Sequence, residues 1–236
     1  MIRFIVRAAM IAATATLAHG AAAESASFDV SFAGIRAGML AYDADMSGST
    51  YIARGSARAS GLAGAIFDAR ADVAANGKAS GNAYRPAFYK EVVKEDGDTI
   101  TRSFKYSGGV PAVRRDPPKE PRDHHAPPGR QAGTVDPMTA AFAILRDRPD
   151  GLACALDISV YDGAQRSRIE LNRPARDGDR LICEGRYTRV AGFKPKEMAE
   201  RTVWPLTMEY RRAGDVWQVE QLRFPTSFGA ARITRR

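Results

Sequence analysis

Ser27-Phe28-Asp29-Val30-Ser31-Phe32 alternates without a break, with Phe28, Val30 and Phe32 on one face and Ser27, Asp29 and Ser31 on the other. A period of two is the pattern of a β-strand with one buried and one wet face. The pattern continues outward. Gly34 to Gly38 offers a turn, and Met39 to Met46 and Thr50 to Ser60 read as further strands, rich in Ala and alternately polar. Gly61 to Phe67 is ambiguous between a loop, a bend and one helical turn. Asp68 to Ala75 resumes the alternation, and Asn76-Gly77 is a strong turn dipeptide. Phe88 to Val93 is another strand. Asp96-Gly97 signals a hairpin into Ile100, Arg102, Phe104 and Tyr106 on one face.

Pro111 to Arg130 breaks the rhythm, holding six of the thirteen prolines. Proline removes a backbone donor and restricts its predecessor, so the stretch reads as a surface loop, mobile and dispensable for folding. It marks either a boundary between two halves or a functional loop. A helix follows near residues 137–147. Asp136 is a good N-cap, Pro137 suits the first helical position, and Met138, Phe142 and Leu145 form a stripe ended by Pro149 and Gly151. Strands return at Leu156-Ile158-Val160, Ile169-Leu171, Leu181-Cys183, Leu206-Met208-Tyr210 and Val216 to Phe224, with a turn at Ala213-Gly214-Asp215. The fold class is mainly β: one large curved antiparallel sheet, a part-open barrel or β-spiral, with one short helix.

The first two dozen residues carry an address. Arg3 and Arg7 precede an apolar run from Ala8 to about Leu17, and Ala21-Ala22-Ala23 supplies small residues for cleavage. These are the three parts of a secretory signal peptide, and the run is too short for an ordinary membrane span. The expected mature chain begins near Glu24 and is periplasmic, a single β domain over 24–236. Removing 23 of 236 residues leaves 213, enough for a sizeable core. The formal charge falls from +8 to +6 as Arg3 and Arg7 leave. Export takes nucleic acid away as a partner and leaves anionic envelope components or lipid.

Cys154 and Cys183 are the two cysteines, 29 positions apart, too far for a redox Cys-x-x-Cys motif. In an oxidising compartment such a pair is expected to form a disulfide between strands. Asp123-His124-His125 is the remaining histidine cluster after export. Adjacent residues on a proline-rich loop do not fix a metal geometry, so His124 and His125 are weak metal candidates and a solvated loop is the preferred reading. No Gly-x-Ser-x-Gly elbow, phosphate-binding glycine loop or dinucleotide fingerprint is present, and the Asp177-Gly178-Asp179 and Tyr161-Asp162-Gly163 stretches read as turns. No cofactor and no catalytic residue is therefore expected.

Phe32-Ala33-Gly34-Ile35-Arg36-Ala37-Gly38, Arg85-Pro86-Ala87-Phe88-Tyr89, Asp136-Pro137-Met138-Thr139-Ala140, Val160-Tyr161-Asp162-Gly163 and Pro205-Leu206 follow one another in an order that resembles the exported bacterial family of domain of unknown function 3108. Cys183-Glu184-Gly185-Arg186-Tyr187 and Ala191-Gly192-Phe193-Lys194 resemble a cysteine-bearing branch of it. The resemblance implies a periplasmic, mostly β protein with no assigned catalytic residues. A more remote similarity is to periplasmic β-spiral proteins linked to envelope integrity. The expected role is non-catalytic support of the cell envelope by binding a lipid-like, glycan or protein partner on the concave sheet. The alternatives are a carrier that shelters a hydrophobic ligand in a part-open barrel, and an envelope hydrolase. An apolar inward face favours the carrier, a buried carboxylate pair in a cleft the hydrolase, and an Arg-rimmed polar concavity an anionic polymer.

Overall fold

The computed structural model of the protein describes residues 22–61, 69–226 and 229–236. The expected signal peptide lies outside these residues, apart from Ala22 and Ala23, as does the ambiguous 61–67 stretch apart from Gly61. Seven strands run in sequence as hairpins: β1 (Ala22–Phe32), β2 (Ile35–Ser47), β3 (Thr50–Ala59), β4 (Ala69–Ser80), β5 (Ala83–Glu95), β6 (Asp98–Ser107) and β7 (Val110–Asp116). Helix α1 (Pro137–Leu145) and the two-residue β8 (Arg148–Pro149) follow. The second meander comprises β9 (Leu156–Tyr161), β10 (Arg166–Asp177), β11 (Arg180–Ala191), helix α2 (Pro195–Glu200), β12 (Val203–Ala213), β13 (Val216–Thr226) and β14 (Gly229–Arg235).

The strands form one antiparallel sheet in the order β7-β6-β5-β4-β3-β2-β1-β14-β13-β12-β11-β10-β9, with β8 beside β13. The first and last strands are thus neighbours, in a register that sets Val30 opposite Ile233. The sheet curls until its two edges, β7 and β9, approach but do not pair. It is a large curved antiparallel sheet, not closed, as its alternation predicts. Among the described residues no helix is long and apolar enough to cross a membrane.

The segment between β7 and α1 fills the gap. Val135 forms a parallel bridge to Val160 of β9, with Val135 N–H donating to the Ser159 carbonyl at 2.8 Å and Tyr161 N–H to the Val135 carbonyl at 2.9 Å. Ala126 N–H donates to the Ala164 carbonyl and Tyr161 Oη to the Ala126 carbonyl, both at 2.8 Å. Gly133 N–H reaches the Gly109 carbonyl at the β6–β7 turn. Behind this seam Phe104 meets Tyr161 at 6.0 Å between ring centroids. The expectation of a free loop over 111–130 is corrected in two ways. Val110–Asp116 is a strand, because it lies at the edge of the sheet where proline is tolerated. The remainder is bonded to the β9 end of the sheet through Ala126, which is buried.

Two other expectations change. Asn76-Gly77 is not a turn: it lies within β4, where the register shifts against β5, and the turn falls at Gly81-Asn82. A Cβ at Gly77 would collide with the Arg85 carbonyl, so this glycine permits close approach of two strands. A second helix, α2, accompanies the expected one.

Helix α1 sits inside the curl. Met138, Thr139, Ala140, Phe142, Ala143 and Leu145 are all buried, so the helix is covered on nearly every side. Gly55 of β3 makes room for it, since a Cβ there would lie 2.9 Å from the Met138 sulfur. Asp136 caps the helix as expected, its carboxylate accepting from Thr139 N–H at 2.8 Å and from Thr139 Oγ1 at 2.7 Å. Thr139 spends its proton on Asp136, so Tyr51 Oη, 2.7 Å from Thr139 Oγ1, is the donor of that pair.

Asp136 is fully buried, and desolvation pushes its pKa up to about 6 against the opposing bonds from Thr139. An aspartate in the unfolded chain titrates near 4, so the folded state holds the extra proton between about pH 4 and 6. The resulting stabilisation is fully present below about pH 4 and lost as pH rises through about 6. Asn retains the cap but cannot titrate. Relative to wild type, Asp136→Asn should therefore gain up to ~2 kcal/mol between pH 4 and pH 7. Urea unfolding of both proteins at the two pH values measures the gap. A gap that does not change with pH would mean that Asp136 is not desolvated as described.

Candidate ligand-binding cavity

Inside the second meander the alternating residues make an apolar wall. Register places Ile169 of β10 beside Tyr187 of β11, and Tyr187 beside Trp204 of β12. One row deeper, Leu171 and Leu206 flank Gly185, and Met208 stands beside Leu222 of β13. Ile144 of α1 faces this wall, and between them lies a cavity of about 390 Å³. That is the size range of small-molecule sites. Most of its lining is aliphatic or aromatic, because each strand presents every second residue inward and these positions hold Ile, Leu, Met and Phe.

The mouth has a different character. Arg189 of β11 lays its guanidinium over Trp204 at 4.5 Å and over Phe193 at 5.1 Å. Its Nη1 donates to the carbonyls of Glu197 at 2.8 Å and Arg201 at 3.1 Å, which ties it to helix α2. Arg201 covers Trp204 from further out, at 5.4 Å, and donates to the Val203 carbonyl. The N-terminus of helix α2 is held by Lys194 N–H, which donates to Glu197 Oε2 at 2.9 Å. Arg189 therefore lines the cavity and Arg201 lies outside it against Trp204, and neither makes a salt bridge among the described residues.

A larger depression, about 870 Å³, lies on the outer face of β1 to β5. Ala and Ser at its floor leave it shallow, and its charges alternate: Asp43 lies beside Arg54, with Asp72 and Lys90 further across. Arg235 and Arg236 also reach this trough but are paired with Asp147 and Asp29, so its cations are largely engaged in a solvated setting, and the apolar cavity is the better binding site. Helix α1 packs on the concave face of the first meander through Phe142.

The candidate residues are distributed as follows. Cys154 and Cys183 are joined, with Cα atoms 5.3 Å apart. The bond does not link neighbouring strands: Cys183 lies in β11 beside Met208, whereas Cys154 lies in the turn before β9. His124 and His125 sit in the seam, their rings edge to face with centroids 4.9 Å apart. His125 Nδ1 accepts from Arg122 N–H, and partial burial lowers its pKa. Among the described residues no three His, Cys, Asp or Glu side chains gather as a metal site would require. The Asp162-Gly163 turn is an Asx turn, Asp162 Oδ1 accepting from Ala164 and Gln165 N–H.

The buried carboxylates hold structural positions. Asp136 caps α1. Glu24 accepts from Tyr42 Oη and from Asp147 N–H, and burial raises its pKa. Asp147 in turn binds Arg235 at 3.1 Å and Gln218 at 2.7 Å. Sequence reasoning missed the cavity residues as a group. Their inward alternation was readable, but the register that brings Ile169, Leu206 and Leu222 to one wall was not.

No family model matches the chain, and no curated protein matches it. A solved structure does: a β-barrel-like protein of domain of unknown function 1849 from Brucella abortus, 12% identical, aligned over 90% of this chain and 94% of that one with a TM-score of 0.50. At that identity the likeness is one of fold. The family numbered 3108 remains a resemblance in motif order, and what the comparison establishes is that this chain shares a β-barrel-like architecture with that protein.

Proposed function

We propose that this is a non-catalytic periplasmic protein that shelters a lipid-like ligand, an acyl chain with an anionic head, inside its part-open barrel. The observation that carries the reading is the apolar cavity of about 390 Å³ between α1 and β10–β13. Arg189, which lines the cavity, favours a negative head group while the chain occupies the apolar wall. Burying an acyl chain gains roughly 0.8 kcal/mol per methylene, so about ten buried methylenes supply roughly 8 kcal/mol, the scale of micromolar affinity before the costs of association. Support of the envelope is then a consequence of carrying or presenting that lipid. The disulfide fits an oxidising compartment.

The test is titration of delipidated protein with a fluorescent fatty acid. Saturable binding, displaced by unlabelled fatty acid, is expected. Ile169→Trp combined with Leu222→Trp fills the cavity from two strands of its wall and should weaken binding at least about tenfold. Equal binding by the filled variant, with its melting temperature preserved, would end the proposal. Mass spectrometry of ligands co-purified from native periplasm would then identify the cargo.

A further inference from the structure

At the C-terminal end of α1 two arginines lie without a carboxylate between them. Arg148 is 2% exposed. Its Nη1 donates to Asn82 Oδ1 at 2.7 Å, its Nη2 to the Ala143 carbonyl, and its guanidinium lies over the Tyr84 ring at 6.0 Å. Arg146 stacks on Phe142 at 4.9 Å, and its buried Nε has no partner. The acids nearby are engaged elsewhere. Asp147 binds Arg235 and Gln218, and Asp150 binds Arg212 and Trp217. Glu24 feels the charge of Arg146 as a minor influence but makes no ion pair with it; its bonds go to Tyr42 and Asp147.

Both arginines line an open basin of about 370 Å³, separate from the apolar cavity. Two hairpin turns form its other walls: Gly48-Ser49 between β2 and β3, and Ser80-Gly81 at the end of β4. The Ser49 and Ser80 hydroxyls add neutral donors to the two guanidiniums. A buried guanidinium with no counter-charge costs free energy, which an anion in the basin would offset.

We propose that this basin binds a phosphoryl oxyanion. Arg146, whose buried Nε has no partner, lines the basin together with Arg148, Ser49 and Ser80, and donors on several sides suit the three or four oxygens of a tetrahedral phosphoryl group better than a planar carboxylate. The shared chemistry is a phosphate group, presented either as a free ion or as a lipid head group. The inference does not rest on the apolar cavity.

Calorimetric titration of the full chain with inorganic phosphate, with a short-chain phosphatidate and with acetate, all at one ionic strength in chloride, tests it. Saturable binding of at least one phosphoryl source is expected, with acetate much weaker. Binding of inorganic phosphate assigns the site to the free ion, and binding of phosphatidate alone assigns it to a head group. Arg146→Gln should weaken that binding at least about tenfold, the loss of one charge-assisted hydrogen bond. This variant removes no hydrogen bond from the unliganded fold, and its melting temperature in phosphate-free buffer checks that it is folded. Arg122→Gln, a cation on the seam, should bind as wild type does. The Ile169→Trp, Leu222→Trp variant should also bind phosphate normally, which separates this test from that of the cavity. The proposal is overturned if neither phosphoryl source binds, if acetate binds as tightly, or if Arg146→Gln binds as wild type does.

Discussion

Replacing Phe142 with Ala should lower the unfolding free energy by about 3–5 kcal/mol. Phe142 is fully buried at the centre of α1 and meets Tyr42, Tyr51 and Tyr84 at 6.1, 5.7 and 6.3 Å between centroids. These three tyrosines come from β2, β3 and β5, so one ring fastens the helix to the inner face of the first meander. Truncation leaves a void that the sheet cannot fill, because its strands are held by their ladders. It also removes the ring on which Arg146 stacks. Denaturant unfolding measures the loss, with Phe142→Leu expected to recover more than half of it. A cost below about 1 kcal/mol would mean that α1 is not docked as described.

Removing the disulfide, as Cys154→Ala with Cys183→Ala, should cost about 2–4 kcal/mol. The bond closes a loop of 29 positions that contains the whole of β9 and β10. Cys183 is fully buried beside Met208, whereas Cys154 is half-buried, so the lost constraint falls mainly on the segment leading from β8 to β9. That segment is also held by Tyr210 Oη, which donates to the Ala153 carbonyl, and by Asn82 Nδ2, which donates to the Leu152 and Ala155 carbonyls. The variant should therefore remain folded, with a lower midpoint in urea and a similar slope. Unchanged stability in the double variant would show that these hydrogen bonds alone fix the turn.

Much of the architecture was legible because the strands obey a strict period. Phe28 and the Asp96-Gly97 hairpin behave as their residues predict, and Asp136-Pro137 opens a helix at the expected position. The departures have local reasons. Pro111 is the second residue of a strand at the sheet edge, where proline is tolerated. Asn76-Gly77 carries turn chemistry but is used for close strand approach. Pro195–Glu200 has no apolar stripe, and its helix rests on a cap and a single turn. Pro137–Leu145 shows almost no polar face, a sign of burial on all sides that the three-residue stripe understated. The cavity depends on which strands are neighbours, and the basin on turns that meet α1 from distant parts of the chain. Neither pairing leaves a mark in local periodicity.

The partnership of β1 with β14 has a consequence in time. A chain delivered N-terminus first, from a ribosome or through a translocation channel, can assemble β1 to β7 as a run of local hairpins. One side of β1 nevertheless stays bare until residues 229–235 arrive. Joining these strands closes the longest loop in the molecule and is the contact of greatest sequence separation, the kind that forms slowly. Until then both meanders expose open edges, the condition in which β proteins are most prone to stick to one another. A chain lacking its last strand should accordingly be held in that sticky state, and a chaperone would be needed for as long as delivery takes.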